Sequence, residues 1–252
     1  MLDGILAAAR EQECAVTMIE MEDSDAFTLS EASRRLAALP VDGMIIGMSR
    51  MAPDFEQFCP QPGMNTVIVT MYAHPRCTTI DSDHYGCSTL VMNHLFDHGH
   101  KEIRFVSGPS FSIDSAFREA GWRDALTARG LQPAEAMAGD WTANSGYRIG
   151  LKLAEDKEMT AVYAANDQMA MGVIAALRSR GRRVPQDVSV VGIDDSMDAM
   201  VPNIELTTVR FDLRKRGRLV YEHAIADTPA TPVALRIPGT LVERSTVAAA
   251  VR

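Results

Sequence analysis

The segment from Thr160 to Asp195 constrains the fold of this 252-residue chain more than any other stretch. An apolar run at Ala161–Ala165 stops at the polar pair Asn166–Asp167, and apolar residues at three- and four-residue spacing follow. After a basic end and a glycine, a second apolar run, Val188–Ile193, stops at Asp194–Asp195. This pattern predicts a strand, a crossover helix and a second, parallel strand. Both strands end in polar residues, at the edge where open parallel sheets bind ligands.

The composition excludes several classes of protein. The chain has 25 basic and 33 acidic residues, a net charge of −8, and no basic block, which argues against nucleic-acid binding by these residues alone. Four cysteines show no CxxC or other metal-ligand spacing, which is typical of reduced thiols in a cytoplasmic protein. No apolar run approaches the about 18 residues of a membrane span, and the first residues lack the basic start of a signal peptide.

The rest of the chain repeats the order of strand and helix. Because its strands are nearly continuous apolar runs, we predict an α/β fold of two doubly wound parallel-sheet lobes. The chain opens inside a predicted helix, Leu2–Arg10, so we expect the first strand of the first lobe to be missing. A strand at Ala15–Ile19, a short helix at Asp54–Phe58 and two short strands within Val233–Val247 are also predicted.

Polar and aromatic residues follow the predicted strands on one edge. Carboxylates and amides pair with hydroxyl groups, and an aromatic face covers the apolar side of a sugar ring, so these loops suit a polyhydroxylated ligand. Within each lobe the loops should converge. They are Ser49–Arg50, Met71–Tyr72, Ser107–Asp114, Asn166–Asp167 and Asp194–Asp195.

Each candidate ligand residue has a structural alternative. Trp141 follows Asp140 in a loop and either stacks on a ligand or packs half-buried against the protein. Arg118 lies one turn into a helix, where its guanidinium either forks onto hydroxyls or is solvated. Asp194 is a ligand, a turn residue or a helix cap, and one member of the Asn166–Asp167 pair must cap the helix that follows.

Catalytic and metal sites are not predicted. The six histidines make no HExxH or comparable spacing, and the chain has no GxSxG, P-loop or GxGxxG motif. No nucleophile has an identifiable base partner. We therefore expect a protein that is not an enzyme and holds neither a metal nor a cofactor.

Several motifs, in order along the chain, resemble one family. The sensor cores of LacI/GalR-type transcription regulators are similar in HLFDHGHKEIRFVSGP (94–109), FREAGWRDAL (117–126), GDWTANSGY (139–147), the Thr160–Asp195 segment, LTTVR (206–210) and the ending LVERSTV. The first 80 residues resemble the family in pattern only.

The resemblance implies a periplasmic-binding-protein-like fold of two lobes joined by three crossovers. We expect the crossovers near Ser82–Tyr85, Val209–Asp212 and Ala226–Thr231. The first lobe would hold residues 1–82 and 212–228, and the second lobe residues 83–211 and 229–252.

The family binds a small-molecule effector between its lobes, usually a sugar or a purine. By position, Arg118 matches the family's ligand-anchoring arginine, Trp141 its stacking aromatic, and Asn166 and Asp194 its polar anchors. Asp114 lies where a small polar contact is common. Asp167 and Asp195 are then left for capping and structure, and a sugar is favoured over a purine. His84 stands where asparagine is usual at a hinge.

The resemblance also implies regulation. Effector binding would allosterically control DNA binding by an N-terminal helix-turn-helix that these residues do not include, with operator DNA a partner only through that head and no membrane partner. A homodimer would form through Asp167–Arg178 and Ser196–Val201, unless those apolar positions face the chain's own core. The alternative function is a sugar-binding protein of a transport system, which shares the fold.

Overall fold

The computed structural model describes residues 1–21, 26–197, 205–226 and 231–250. In chain order its elements are α1 (Leu2–Glu11), α2 (Leu29–Ala37), β1 (Gly43–Gly47), β2 (Asn65–Val69), β3 (Thr78–Ser82), α3 (His84–Asp97), β4 (Ile103–Ser107), α4 (Ile113–Thr127), β5 (Met137–Ala138), α5 (Ala143–Leu153), β6 (Ala161–Ala164), α6 (Asp167–Ser179), β7 (Ser189–Val191), β8 (Thr208–Arg210), α7 (Leu213–Ala224), β9 (Ala234–Ile237) and β10 (Thr240–Val242).

The chain folds into two compact α/β units. Unit 1 comprises Met1–Asp83 and Asp212–Ile237, and unit 2 comprises His84–Phe211 and Pro238–Arg252. The chain therefore passes from one unit to the other three times, as the resemblance implies. The first two passages lie within the predicted segments.

Unit 1 is built on a parallel sheet in the order β1-β2-β3-β9. Ile68 of β2 and Ile80 of β3 are fully buried, as expected for strands covered on both faces. Helices α1 and α7 pack closely because both carry a glycine at the contact. A Cβ atom on Gly4 would lie 2.1 Å from the carbonyl oxygen of Arg214, and one on Gly217 would lie 2.1 Å from that of Met1.

Unit 2 contains the larger hydrophobic core. Its parallel sheet runs β5-β4-β6-β7, with β8 and β10 forming a separate antiparallel pair. Phe105 of β4 stacks on Trp122 at 5.4 Å and meets Tyr163 of β6 edge-on at 4.8 Å between ring centroids. All three rings are at most 1% exposed. The core thus fixes α4 and β6, which carry the candidate site.

Some local predictions were wrong. Ala15–Ile19 forms no strand, and residues 15–18 are exposed, so the apolar residues there lack the burial that stabilises a strand. Asp54–Phe58 consists of turns rather than helix. The polar strand β3 was missed, although all five of its residues are buried.

The last predicted segment divides differently between the units. Residues 229–252 were assigned to the second lobe, but β9 pairs with β3 through contacts such as Ile80 with Leu235, which places it in unit 1. The third passage is consequently at Ile237–Pro238 and not at Ala226–Thr231, of which residues 227–230 lie outside the described segments.

The cysteines fall into two classes. Cys14 and Cys59 are exposed, whereas Cys77 and Cys87 are buried. Burial raises the pKa of the Cys77 thiol to about 12 and that of Cys87 to about 11, so both stay protonated near neutral pH. Within the described ranges, no helix has the length and apolar character to cross a membrane.

Candidate functional site

Arg118 is the centre of the candidate site in unit 2. Helix α4 begins at Ile113 after the N-cap Ser112, whose side chain accepts a hydrogen bond from the Ser115 N–H, and it carries Arg118 in its second turn. Hydrogen bonds from Ser88 fix the backbone at Arg118. Ser88 Oγ donates to the Arg118 carbonyl at 2.8 Å and also lies 2.8 Å from the buried Tyr163 hydroxyl. Arg118 is only 4% exposed, so its charge requires local compensation.

The guanidinium of Arg118 has partners on two sides. Nη1 donates to the carbonyl of Ala165 at the end of β6, and Nη2 donates to His84 Nδ1 at 3.0 Å and to Asp194 Oδ1 at 3.3 Å. Burial lowers the pKa of Arg118, but the Asp194 carboxylate, together with Cys87, Asp114 and Tyr163, raises it by more, so the pKa lies above its usual value. Among the residues that the structure describes, no atom accepts a hydrogen bond from the buried Nε.

Asp194 reaches Arg118 through an unusual backbone conformation. Its φ is +105° and that of Asp195 is +51°, both in the left-handed region that residues other than glycine rarely adopt. The Asp194 N–H donates to the Val209 carbonyl at 2.8 Å, which fixes the residue just beyond β7. Its side chain remains 34% exposed, so the carboxylate faces both the arginine and solvent.

Trp141 lies beside this ion pair. It is half-buried with a φ of +71°, and its ring lies 5.7 Å from Arg118 Cζ, within the range of a cation–π contact. The indole also lies against Gly108, where a Cβ atom would be 2.3 Å from the ring. The part of the indole left exposed can serve as a platform for a ligand ring.

Within the Asn166–Asp167 pair, the helix cap is Asn166, whereas Asp167 was the residue left for capping and structure. Asn166 caps α6, since its Oδ1 accepts from the Met169 N–H at 2.9 Å, and its Nδ2 donates to the Trp141 carbonyl at 2.9 Å. Asp167, predicted as the cap, instead accepts from the Thr208 hydroxyl at 2.6 Å. The ligand role of Asn166 stays a prediction, and the structure adds that Asn166 holds the Trp141 loop.

Asp114 and His84 complete the cluster. Asp114 lies in the first turn of α4 with its side chain 40% exposed, and its Oδ1 is 3.4 Å from His84 Nε2. Because His84 Nδ1 accepts from Arg118, the imidazole links Arg118 to Asp114. The sequence indicates His84 only as a departure from the usual asparagine at the hinge, and its contacts with Arg118 and Asp114 were not predicted.

Three of the five loops singled out in the sequence lie in unit 2 and contribute to this cluster: Ser107–Asp114, Asn166–Asp167 and Asp194–Asp195. Asp195 has the structural role predicted for it, because its carboxylate pairs with Arg210 at 2.5 Å and Arg244 at 2.9 Å.

The other two loops belong to unit 1. There Tyr72 helps to line a mostly apolar cavity of about 720 Å³ together with Met51 and Phe55. Arg76 joins the loops after β1 and β2 by donating to the carbonyl oxygens of Phe58 and Glu56.

Comparison with known proteins identifies the family. Residues 92–247 match a family described as a periplasmic binding protein-like domain. The lactose operon repressor of Klebsiella pneumoniae is 31% identical over 243 residues, which cover 94% of this chain and 68% of the repressor. That of Escherichia coli K12 is 30% identical over 252 residues, covering 98% and 69%. The chain belongs to the LacI/GalR family of transcription regulators.

Solved structures of this family have the same fold. A dimeric Lac repressor with an 11-residue C-terminal deletion superimposes with a TM-score of 0.80 at 28% identity, covering 99% of this chain and 93% of the repressor. The CelR–cellobiose complex does so with a TM-score of 0.80 at 27% identity, covering 97% and 77%. The prediction of a periplasmic-binding-protein-like fold is confirmed. The repressor relatives also confirm the prediction that the chain is not an enzyme.

Proposed function

We propose that this chain is the effector-sensing core of a transcription regulator and that unit 2 binds a small polyhydroxylated molecule, a sugar or sugar derivative. The observation that carries the proposal is the Arg118–Asp194 pair. A buried guanidinium, whose Nε has no acceptor within the described part of the chain, lies beside a carboxylate that is one third exposed. Such a pair offers donors and acceptors to neighbouring hydroxyl groups, and charge-assisted hydrogen bonds are the strongest of their kind.

The remaining residues of the cluster favour a ring-shaped ligand. Trp141 provides an apolar face beside the ion pair, and Asp114 provides a second exposed carboxylate. Asn166 completes the proposed set by holding the Trp141 loop. Relatives whose structures contain cellobiose or ONPG support a sugar, while a purine remains the second choice because it uses similar donors and a stacking aromatic.

The proposed regulation is allosteric. Effector binding would shift the core between two states and so change operator binding by an N-terminal helix-turn-helix outside these residues. The regulator would act in the cytoplasm, where operator DNA and metabolites are both present. The alternative, a sugar-binding protein of a transport system, has less support because the relatives that cover most of this chain are repressors.

A thermal-shift screen tests the binding site. The panel contains lactose, cellobiose, galactose, glucose and guanine. A compound present at one hundred times its Kd should stabilise the chain by about 2.7 kcal/mol, which raises the Tm by a few degrees. Arg118→Ala and Asp194→Ala should abolish that shift, since each leaves the other charge unpaired.

Arg183 and Asp187 provide matched controls for this screen. They form an exposed ion pair elsewhere in unit 2, so Arg183→Ala and Asp187→Ala should leave the shift intact. Undiminished affinity in both site variants would show that the ligand binds elsewhere.

We further propose that the chain is a homodimer, as the Lac repressor structures described as dimeric suggest. The segments proposed for the interface are Asp167–Arg178 and Ser196–Val201, of which residues 198–201 lie outside the described ranges. Most of α6 is buried within unit 2, so only its exposed positions, such as Ala175 and Arg178, are free to contribute. Sedimentation at tens of micromolar should give about twice the 27.5 kDa chain mass. A single species of chain mass would contradict the dimer.

A further inference from the structure

The conformation of the turn that carries Asp194 is stabilised by residues outside the turn. Two consecutive aspartates have left-handed backbone angles, φ +105° and φ +51°. Such conformations persist only where surrounding contacts impose them. Ion pairs of Asp195 with Arg210 and Arg244 are one source of restraint. These ion pairs restrain the Asp195 side chain in the middle of the turn, so the two ends of the turn must be restrained by other contacts.

Asp167 supplies contacts at both ends of this turn. Its N–H donates to the Ile193 carbonyl at 2.9 Å, just before Asp194. Its Oδ2 accepts from the Ser196 N–H at 2.8 Å, just after Asp195, and its Oδ1 accepts from the Thr208 hydroxyl at 2.6 Å. One side chain therefore joins the start of α6, the turn and strand β8.

The surroundings are shaped for this carboxylate. Asp167 is 1% exposed, and a Cβ atom on Gly192 would lie 2.4 Å from its Oδ1, so only glycine leaves room there. The cap of α6 is already provided by Asn166, which means that the carboxylate of Asp167 is not needed for that purpose. The hydrogen bonds that the Asp167 carboxylate accepts from Ser196 and Thr208 explain why it is buried here.

We propose that Asp167 is a positioning residue for the effector site: its ionised carboxylate holds the Gly192–Ser196 turn in the conformation that aims Asp194 at Arg118. Protonation turns one of its oxygens into a donor, so either the Ser196 N–H loses its acceptor or the Thr208 hydroxyl must turn round to accept, and in both cases the present hydrogen bonds are lost or weakened. The turn should then loosen and the Arg118–Asp194 contact should weaken. Only the effect on effector affinity rests on the proposed function.

Charged groups reach this site from several elements. Asp194 and Asp195 lie on the turn itself, Arg210 comes from β8, Arg244 from the segment after β10, and Arg118 from α4. Burial, together with the two neighbouring carboxylates, raises the pKa of Asp167 to about 7, while the hydrogen bonds from Thr208 and Ser196 lower it. The carboxyl group therefore changes charge near neutral pH.

A ligand-free measurement tests the positioning directly. The ¹³Cγ resonance of Asp194 should show a step near pH 7 as Asp167 titrates beside it. Asp167→Asn keeps the shape but has no group that titrates near neutral pH, so the step should vanish, whereas the control Asp187→Asn, at a partly exposed carboxylate, should retain it. A step that survives Asp167→Asn overturns the proposal.

Thr208→Val provides a second variant if Asp167→Asn fails to fold. It removes the donor to Oδ1 and leaves Asp167 in place. Because that hydrogen bond lowers the pKa of Asp167, its loss should move the midpoint of the Asp194 step to higher pH. An unchanged midpoint would mean that Thr208 and Asp167 are not coupled to Asp194, and the proposal would be rejected.

Calorimetry with cellobiose and lactose tests the consequence for binding. Affinity of the unsubstituted chain should fall at least threefold between pH 8 and pH 6, and Asp167→Asn should bind at least tenfold more weakly at pH 8 with no such pH dependence. Equal pH profiles would contradict the role of Asp167. If neither sugar binds the unsubstituted chain, these sugars are excluded as effectors, and the resonance experiment still decides the positioning role.

Discussion

At the scale of single residues, the site depends on the absence of a side chain at Gly108 as well as on the side chains that are present. Gly108 is the first residue after β4, and its N–H donates to Ser115 Oγ at 2.8 Å. The indole of Trp141 occupies the space where a Cβ atom would be. Gly108 thus determines how closely the Trp141 ring can pack beside the Arg118–Asp194 pair.

Gly108→Ala should displace Trp141 and weaken sugar binding about tenfold. The added carbon would lie 2.3 Å from the indole, so the ring must move, and a ring moved off the ligand loses its stacking contact. Fluorescence can follow this change, because the other tryptophan, Trp122, is fully buried and provides a constant background. Emission and iodide quenching of Trp141 should both change.

Ser110→Ala is the matched control for Gly108→Ala. Ser110 lies in the same loop with an exposed side chain, so its replacement should change neither emission nor affinity. If Gly108→Ala leaves Trp141 emission and sugar affinity as they were, the ring position is not set by this glycine.

The sequence singled out both members of the charged pair as candidates but did not indicate the supporting contacts. Polar residues directly after apolar strands pointed to Asp194, and the family resemblance pointed to Arg118; the structure brings them to 3.3 Å. The roles of Asn166 and Asp167 could not be separated in advance. Either side chain can cap a helix, and the choice depends on partners distant in sequence, Trp141 and Thr208.

At the scale of elements, the contact between α5 and α6 controls where Asn166 and Asp167 stand. Two glycines allow the helix backbones to approach. A Cβ atom on Gly146 would lie 2.2 Å from the carbonyl oxygen of Met169, and one on Gly172 would lie 2.0 Å from that of Ala143. The site loops on both helices are therefore coupled through backbone packing.

Gly172→Ala should destabilise unit 2 despite the better helix propensity of alanine. The gain in propensity is about 1 kcal/mol. The added methyl group would meet backbone atoms of Ala143 and Tyr147 at 2.0 and 2.6 Å, which cannot yield without separating the helices. We expect a net loss of about 1–3 kcal/mol, seen as a Tm lower by several degrees in calorimetry.

The control for the helix contact is Lys152→Gln on α5. Lys152 is exposed, so this change should alter stability by no more than about 0.5 kcal/mol. A Gly172→Ala variant as stable as the control would show that α5 and α6 separate without cost.

Strongly periodic or apolar elements were predictable, and elements defined by tertiary contacts were not. The helix α6 and the strands β6 and β7 follow directly from their patterns. Strand β3 has a mostly polar sequence, yet it lies between β2 and β9 and is buried on both faces. Its burial comes from neighbours supplied by distant parts of the chain, which no local pattern contains.

At the scale of the whole molecule, charge limits what the chain can bind. The net charge is −8 and the isoelectric point is about 5.3. A protein that binds DNA through its phosphates needs clustered basic residues to release counterions. The acidic balance of these residues offers no such driving force.

The chain by itself should not retard duplex DNA in a mobility-shift assay. At 150 mM salt we expect no complex at protein concentrations up to about 10 µM, because non-specific binding of even basic proteins is only of order 10⁻⁴–10⁻⁶ M. Lowering the salt concentration should not produce a complex, since the repulsion between the acidic chain and the DNA phosphates becomes less screened. Sequence-specific retardation at physiological salt would assign a DNA contact to these residues.

The three passages between lobes were implied by the family resemblance and not by a local pattern, and two of the unit boundaries, Asp83–His84 and Phe211–Asp212, lie within the segments named from it. The third passage was misplaced because a sequence rich in proline and threonine precedes β9. Only pairing with β3 shows that β9 still belongs to unit 1. Such pairing between residues about 155 positions apart is invisible to local patterns.

The cysteines and tryptophans are distributed unequally, with a practical consequence for spectroscopy. Both exposed cysteines, Cys14 and Cys59, lie in unit 1, and both tryptophans, Trp122 and Trp141, lie in unit 2. The two remaining thiols are buried and have raised pKa values, so a maleimide dye will react with unit 1 alone. The native chain therefore accepts an acceptor dye on one unit while the other supplies the intrinsic donor. Energy transfer between them can report changes in unit separation when a sugar is added, without any engineered residue.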